Sequence, residues 1–223
     1  GAVALNAAEV RNAVYQASDL HRMMFRLAGE HKPKPMYVDA AEKQVGEDLR
    51  QTMAGKKQRY GAYDFVGRYF AFAYAERGSV AKATLVFMDK YANDTGRVEG
   101  LRSEFIRVFR KAVDDWYQPF PLTEPRQEGG FHAFLATLQL VSTKRLLEHV
   151  DAGRATSEQV GKLISSRWPA FATDRLEKKQ NSTLFWNSQK LWISLLEDGL
   201  GLPRLYQPGN WQEDLPDPTL AEA

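Results

Sequence analysis

Cysteine is absent from the 223-residue chain, which excludes disulfides, thiolate zinc sites and cysteine nucleophiles. Histidine is scarce: His21, His31, His132 and His149 form no His-x3-His pair, and no carboxylate stands at a familiar zinc spacing. Neither a metal nor another cofactor is therefore expected. No apolar run reaches the ~20 residues that a membrane-spanning helix needs, and the first residues lack the charged and apolar blocks of a secretory signal. The expectation is a protein with no membrane partner in a cytoplasmic setting. Excess charge is also missing, because 30 basic and 28 acidic residues leave a formal +2. That total is too small to argue for a polyanion partner, so any such argument rests on distribution.

Catalytic signatures are lacking too. There is no GxSxG elbow and no GxxxxGK[ST] phosphate loop. Asp114-Asp115 and Glu213-Asp214 are adjacent carboxylates, and adjacent residues on a helix diverge by ~100°, so neither makes an acid/base couple. No catalytic residue is assigned, and a non-enzymatic protein is expected. Arg26 and His31 do resemble the Arg-x4-His spacing of HEPN ribonucleases, which are all-helical; that resemblance implies RNA cleavage through those two residues as a third-ranked reading. The chain departs from the pattern at Leu27, where a polar residue is usual, and at Gly29.

What is present is helical punctuation. Asn6 with Glu9 reads as a capping box for a helix over 7–28, carrying Val10, Val14, Leu20, Met24 and Leu27 on one stripe. Asp39 with Glu42 opens a second helix over 40–54, closed by Gly55. Residues 69–88 read either as two helices broken at Gly78 and capped by Ser79, or as a β-hairpin around Arg77-Gly78-Ser79; the alanines favour helix. Leu101, Phe105, Val108, Phe109, Ala112 and Trp116 form an apolar helical stripe. A helix beginning near Phe131 ends at Gly153, Thr156 with Gln159 caps one that Trp168-Pro169 interrupts, and Ser182 starts a last helix stopped by Gly199. The fold class expected is all-α, an irregular bundle of about seven to eight helices. Prolines and glycines over 119–130 suggest a connecting loop between an N-terminal half, 1–118, and a C-terminal half, 131–223.

The most function-like region lies between Asp48 and Asp64. It holds Arg50, Lys56, Lys57 and Arg59 without an acid and leads into Tyr60, Tyr63, Phe65, Tyr69, Phe70, Phe72 and Tyr74, with Arg68 among them. Cations beside flat rings suit a single-stranded nucleic acid, whose phosphates take the charge while its bases stack. Arg102, Arg107, Arg110 and Lys111 supply a second basic set on one helix. From Glu197 onward Glu197, Asp198, Glu213, Asp214, Asp217 and Glu222 face Arg204 alone, so an acidic tail follows a basic body. The nucleic-acid-contact residues expected are Arg50, Lys56, Lys57, Arg59, Tyr60, Tyr63, Arg68, Arg107, Arg110 and Lys111. Such a chain suits nucleoprotein assemblies of viral, phage or mobile-element type. The alternative is a helical scaffold or homo-oligomeric assembly subunit, suggested by Trp116, Trp168, Trp186, Trp192 and Trp211, because large rings anchor interfaces as readily as cores.

Overall fold

The computed structural model describes residues 10, 13–15, 17–30, 37–53, 61–74, 79–120, 132–176 and 182–207. Among them all regular structure is helical. The chain forms two compact units, Gly1–Phe109 with Gly129–Phe131, and Arg110–Glu128 with His132–Ala223. One crossing between the units falls inside a helix, between Phe109 and Arg110, and the short return Gly129–Phe131 begins within the proline-rich stretch 119–130.

In the first unit, α1 spans Asp19–Leu27, and its N-cap is Ser18, whose Oγ accepts the His21 N–H at 3.1 Å. The single helix expected over 7–28 is therefore corrected: a new helix starts at Asp19. Val10 and Val14 are 44% and 66% exposed, whereas Leu20, Met24 and Leu27 are core. Asn6 and Glu9 lie outside the described residues. α2, Ala40–Thr52, is capped as expected by Asp39, which accepts the Glu42 N–H at 2.8 Å. Gly29 ends α1 at φ +66°, in the left-handed region, and the Glu30 N–H returns to the Phe25 carbonyl at 3.1 Å.

The described residues within 69–88 form two helices and no hairpin strand. α3, Gly61–Tyr74, and α4, Val80–Tyr91, pack together with the Phe70 and Phe87 rings stacked at 5.2 Å. Ser79 caps α4 through the Lys82 N–H. Ala83, Thr84, Phe87 and Met88 are buried while Lys82, Leu85, Val86 and Asp89 are exposed, a helical and not an alternating pattern. Alanine-rich segments with a serine cap and two buried faces satisfy helix propensity and packing together. α5, Thr95–Arg110, then buries Leu101, Phe105, Val108 and Phe109.

The second unit begins as α5 widens into a π-helical stretch, Lys111–Trp116. It continues with α6, Ala133–Asp151; α7, Ser157–Leu176; and α8, Ser182–Gly199. Thr156 and Gln159 cap α7 reciprocally: Gln159 N–H donates to Thr156 Oγ1 at 3.2 Å and Thr156 N–H to Gln159 Oε1 at 2.9 Å. The interruption expected at Trp168-Pro169 does not occur, and α7 runs through Pro169. An interior proline costs about 3 kcal/mol. Trp168 and Phe171 on either side of it pack on Trp192 at 5.2 and 4.7 Å between centroids, and burying two such rings offsets that cost. Gly201, at φ +64°, stops α8, with the Leu202 N–H returning to the Glu197 carbonyl at 2.8 Å. Beyond it the Leu205 N–H donates to the buried Glu197 carboxylate at 2.9 Å, and the same carboxylate meets His149 Nε2 at 3.1 Å.

Candidate functional site

The expected nucleic-acid surface separates into distinct environments. Arg50 stands exposed in the last turn of α2. Lys56, Lys57, Arg59 and Tyr60 lie outside the described residues. Tyr63 opens the ring series of α3 and is fully buried; its hydroxyl meets His21 Nδ1 at 2.8 Å and its ring lies 4.5 Å from that of Phe25. Phe65, Tyr69, Phe70 and Phe72 are buried as well. The expectation that Tyr63 offers a stacking face is therefore corrected: α3 is apolar around most of its circumference and is enclosed by its neighbours. Tyr69 and Tyr74 send their hydroxyls to the two oxygens of Glu104, at 3.0 and 2.7 Å, so both polar tips are satisfied inside the unit. Arg68 pairs with Asp64 one turn earlier, at 3.1 Å.

The second basic set also divides. Arg107 is exposed on α5. Arg110 approaches Asp114 at 3.5 Å, and Lys111 pairs with Asp115, each four residues on. Lys111 also lies 5.9 Å from the Trp116 ring centroid, and Trp116 Nε1 donates to the Ser157 carbonyl at 3.1 Å. A shallow cleft of about 940 Å³ opens here, lined by Asp114, Asp115, Trp116, Ser157, Glu158 and Lys162. Because Lys162 pairs with Glu158 at 2.7 Å, each carboxylate in the cleft has a cation beside it, and the cleft carries no strong preference for either sign.

Arg102, the remaining cation of that set, is itself buried and belongs to a charge network in the first unit that runs from buried Glu42 out to exposed Asp39 and Glu99. Its guanidinium reaches Asp39 at 2.9 Å, Glu99 at 2.7 Å and Glu42 at 3.5 Å. Glu42 is fully buried and accepts further from Arg26 Nε at 2.6 Å and from the Val38 N–H at 3.2 Å. The Glu42 backbone N–H, then Arg102, hold the Asp39 carboxyl below the usual carboxylate range, and Arg102 does the same for Glu99. Arg26, one of the two residues behind the ribonuclease resemblance, is thus engaged with Glu42, and His31 lies outside the described residues. The sequence showed these five charges but not their meeting, which joins segments far apart in the chain.

A different carboxylate serves α3. Glu30 Oε1 accepts the Ala62 N–H at 2.9 Å, acting as an N-terminal cap delivered from another segment. Burial pushes the Glu30 carboxyl up, and backbone N–H groups of Ala62 and Tyr63 act in the opposite direction.

Among the described residues no group of three histidine, aspartate or glutamate side chains is arranged to hold a metal ion, and no helix is long and apolar enough to cross a membrane. One exposed feature was missed in the sequence: Leu85 and Val86 on α4 are 41% and 57% exposed between Lys82 and Asp89. Once α4 is a helix, a wheel would have found them, since Ala83, Thr84, Phe87 and Met88 take the inner face. Comparison with family models, with curated proteins and with solved structures finds no match to this chain.

Proposed function

We propose that this chain is a non-enzymatic nucleic-acid-binding protein of a nucleoprotein assembly that grips the sugar-phosphate backbone by charge. The observation that supports this reading is the acid-free run between Asp48 and Asp64, which opens at exposed Arg50 and continues through Lys56, Lys57 and Arg59. With Tyr63 turned inward, the stacking role in this reading falls to Tyr60, and charge carries the affinity. Single strands remain the preferred partner, because a flexible backbone adapts to a short cationic segment.

Fluorescence anisotropy with labelled single- and double-stranded oligonucleotides tests the reading. Four neutralised phosphates give a log–log salt slope of about −2.8 to −3.6, at about −0.7 to −0.9 per phosphate. The combined variant Lys56→Glu, Lys57→Glu, Arg59→Glu should lose this binding, and Arg107→Glu should weaken it less. A signal that ignores salt, or a combined variant that binds like the parent, would overturn the proposal.

A second reading, an assembly subunit working through protein contact, is favoured by the exposed aliphatic pair on α4. The tryptophans that first suggested it supply less support, since Trp116, Trp168, Trp186 and Trp192 are interior.

A further inference from the structure

The outward face of α4 is self-complementary. Lys82, Leu85, Val86 and Asp89 stand at i, i+3, i+4 and i+7, which aligns them along one side of a helix, and all four are exposed. The midpoint between Lys82 and Asp89 is also the midpoint between Leu85 and Val86. A two-fold axis through that point, perpendicular to the helix, brings a second α4 across antiparallel. Leu85 of each copy then lies beside Leu85 of the other and Val86 beside Val86, one pair on either side of the stripe, while Lys82 of each copy meets Asp89 of the other, at both ends at once. An isologous interface requires this kind of pairing, in which residue i meets j while j meets i. Parallel pairing of the same helices would instead set Lys82 against Lys82 and Asp89 against Asp89, and like charges disfavour it.

Two further observations bear on the partner. The Tyr15 hydroxyl donates to Asp89 Oδ1, which holds one end of the stripe in place while the second carboxylate oxygen keeps its acceptor capacity. The apolar centre is flanked by one charge of each sign, a pattern that suits another copy of itself better than a uniformly charged surface. We infer that the Lys82–Asp89 face of α4 is a homodimerisation surface in which a second copy of this chain docks antiparallel about Leu85 and Val86. This rests on the assembly reading and is independent of nucleic-acid binding. One helix stripe per copy makes an interface below the ~1,200 Å² of standard stable complexes, so the dimer is weak and concentration-dependent.

Sedimentation equilibrium of the whole chain over a wide concentration range tests the surface, with Lys82→Glu, Asp89→Lys, an equimolar mixture of those two variants, Val86→Cys and Gln44→Cys. Each exposed ion pair contributes little alone, but symmetry doubles it and reversal replaces attraction by repulsion, so each charge variant should self-associate about tenfold more weakly. In the mixture every charge meets its opposite again. The glutamate introduced by Lys82→Glu faces the lysine introduced by Asp89→Lys, and the unchanged Asp89 of the first variant faces the unchanged Lys82 of the second. Parental association should return. The cysteine-free background makes Val86→Cys a clean reporter, which should cross-link under mild oxidation, while Gln44→Cys, exposed on α2, should not. A parent chain that stays monomeric at every concentration overturns both this surface and self-assembly. A dimer indifferent to both charge variants, without cross-linking at Val86→Cys, overturns the surface alone and leaves the assembly reading standing.

Discussion

A Cβ added to Gly29 would stand 2.4 Å from the carbonyl oxygen of Gly46. The end of α1 and the middle of α2 therefore touch backbone to backbone, and Gly46 is equally confined, since its own Cβ would meet the Arg26 carbonyl at 2.9 Å and the Tyr37 ring at 2.8 Å. Gly29→Ala carries a left-handed penalty of ~1–2 kcal/mol and an overlap with rigid backbone of ~1–3 kcal/mol more. Gly153→Ala shares the first penalty, at φ +67°, but has nothing within 4 Å. Urea unfolding should show Gly29→Ala as clearly the more damaging; equal losses would refute the close approach.

Glu42 is the hub between Arg26 and Arg102. Glu42→Gln leaves both arginines without their buried anion and should cost about 3 kcal/mol in unfolding free energy, as breaking a buried pair from one side does. The same network gives stability a definite pH dependence. Asp39 and Glu99 are depressed in the folded state, so their contribution is fully present above the ordinary carboxylate pKa of about 4 and is lost as pH falls through their lower folded values. Both carboxylates are largely exposed, so salt should shrink the effect. Urea midpoints against pH, with and without Arg102→Met, would measure it: the acid-side slope should flatten in the variant.

Glu30 has the opposite sign. Its folded pKa is raised, so its ionised form is disfavoured by folding, and protonation as pH falls through the folded value adds stability. Glu30→Gln should preserve an oxygen acceptor for Ala62 and flatten that dependence with little loss at neutral pH. Glu30→Ala removes the cap and should cost about 1 kcal/mol, read by thermal unfolding.

Tyr117 is fully buried in the second unit, where its hydroxyl receives the Trp192 indole N–H at 2.8 Å and lies 2.8 Å from Ser142 Oγ. Tyr117→Phe preserves the ring and strands the indole donor, so a loss of about 1–3 kcal/mol is expected in denaturant unfolding. Near-ultraviolet circular dichroism should change with it, because Trp168 packs edge-on against the same ring at 5.0 Å. An unchanged midpoint would mean that this hydrogen-bonded chain contributes nothing.

Tyr63→Phe separates the two roles a ring in the basic and aromatic stretch can have. As a core residue it should lose about 1 kcal/mol of stability with its hydroxyl contact to His21, while oligonucleotide affinity stays unchanged. Weakened binding by the folded variant would return Tyr63 to the contact surface.

Helices, their caps and most of their inward stripes were legible in the sequence because they depend on nearest neighbours. Asp39 with Glu42, Thr156 with Gln159, and the Leu101 to Trp116 stripe all act within a turn or two of one helix. Two local readings needed packing to decide them: Pro169 stays helical because its neighbours are held on Trp192, and residues 69–74 and 80–88 lie in two helices with Phe70 stacked on Phe87. Ser18, by contrast, starts a helix through a local cap inside a stretch of regular apolar spacing.

Helical character and the absence of thiol chemistry thus belong to the sequence alone, since propensity, spacing and composition fix them locally. Tertiary structure decided which rings and charges meet solvent. A helical wheel says which residues share a side but not what covers that side, and Tyr63 and Arg102 were covered by segments distant in the chain. The same enclosure left Leu85 and Val86 uncovered on α4, which no count of apolar residues reveals.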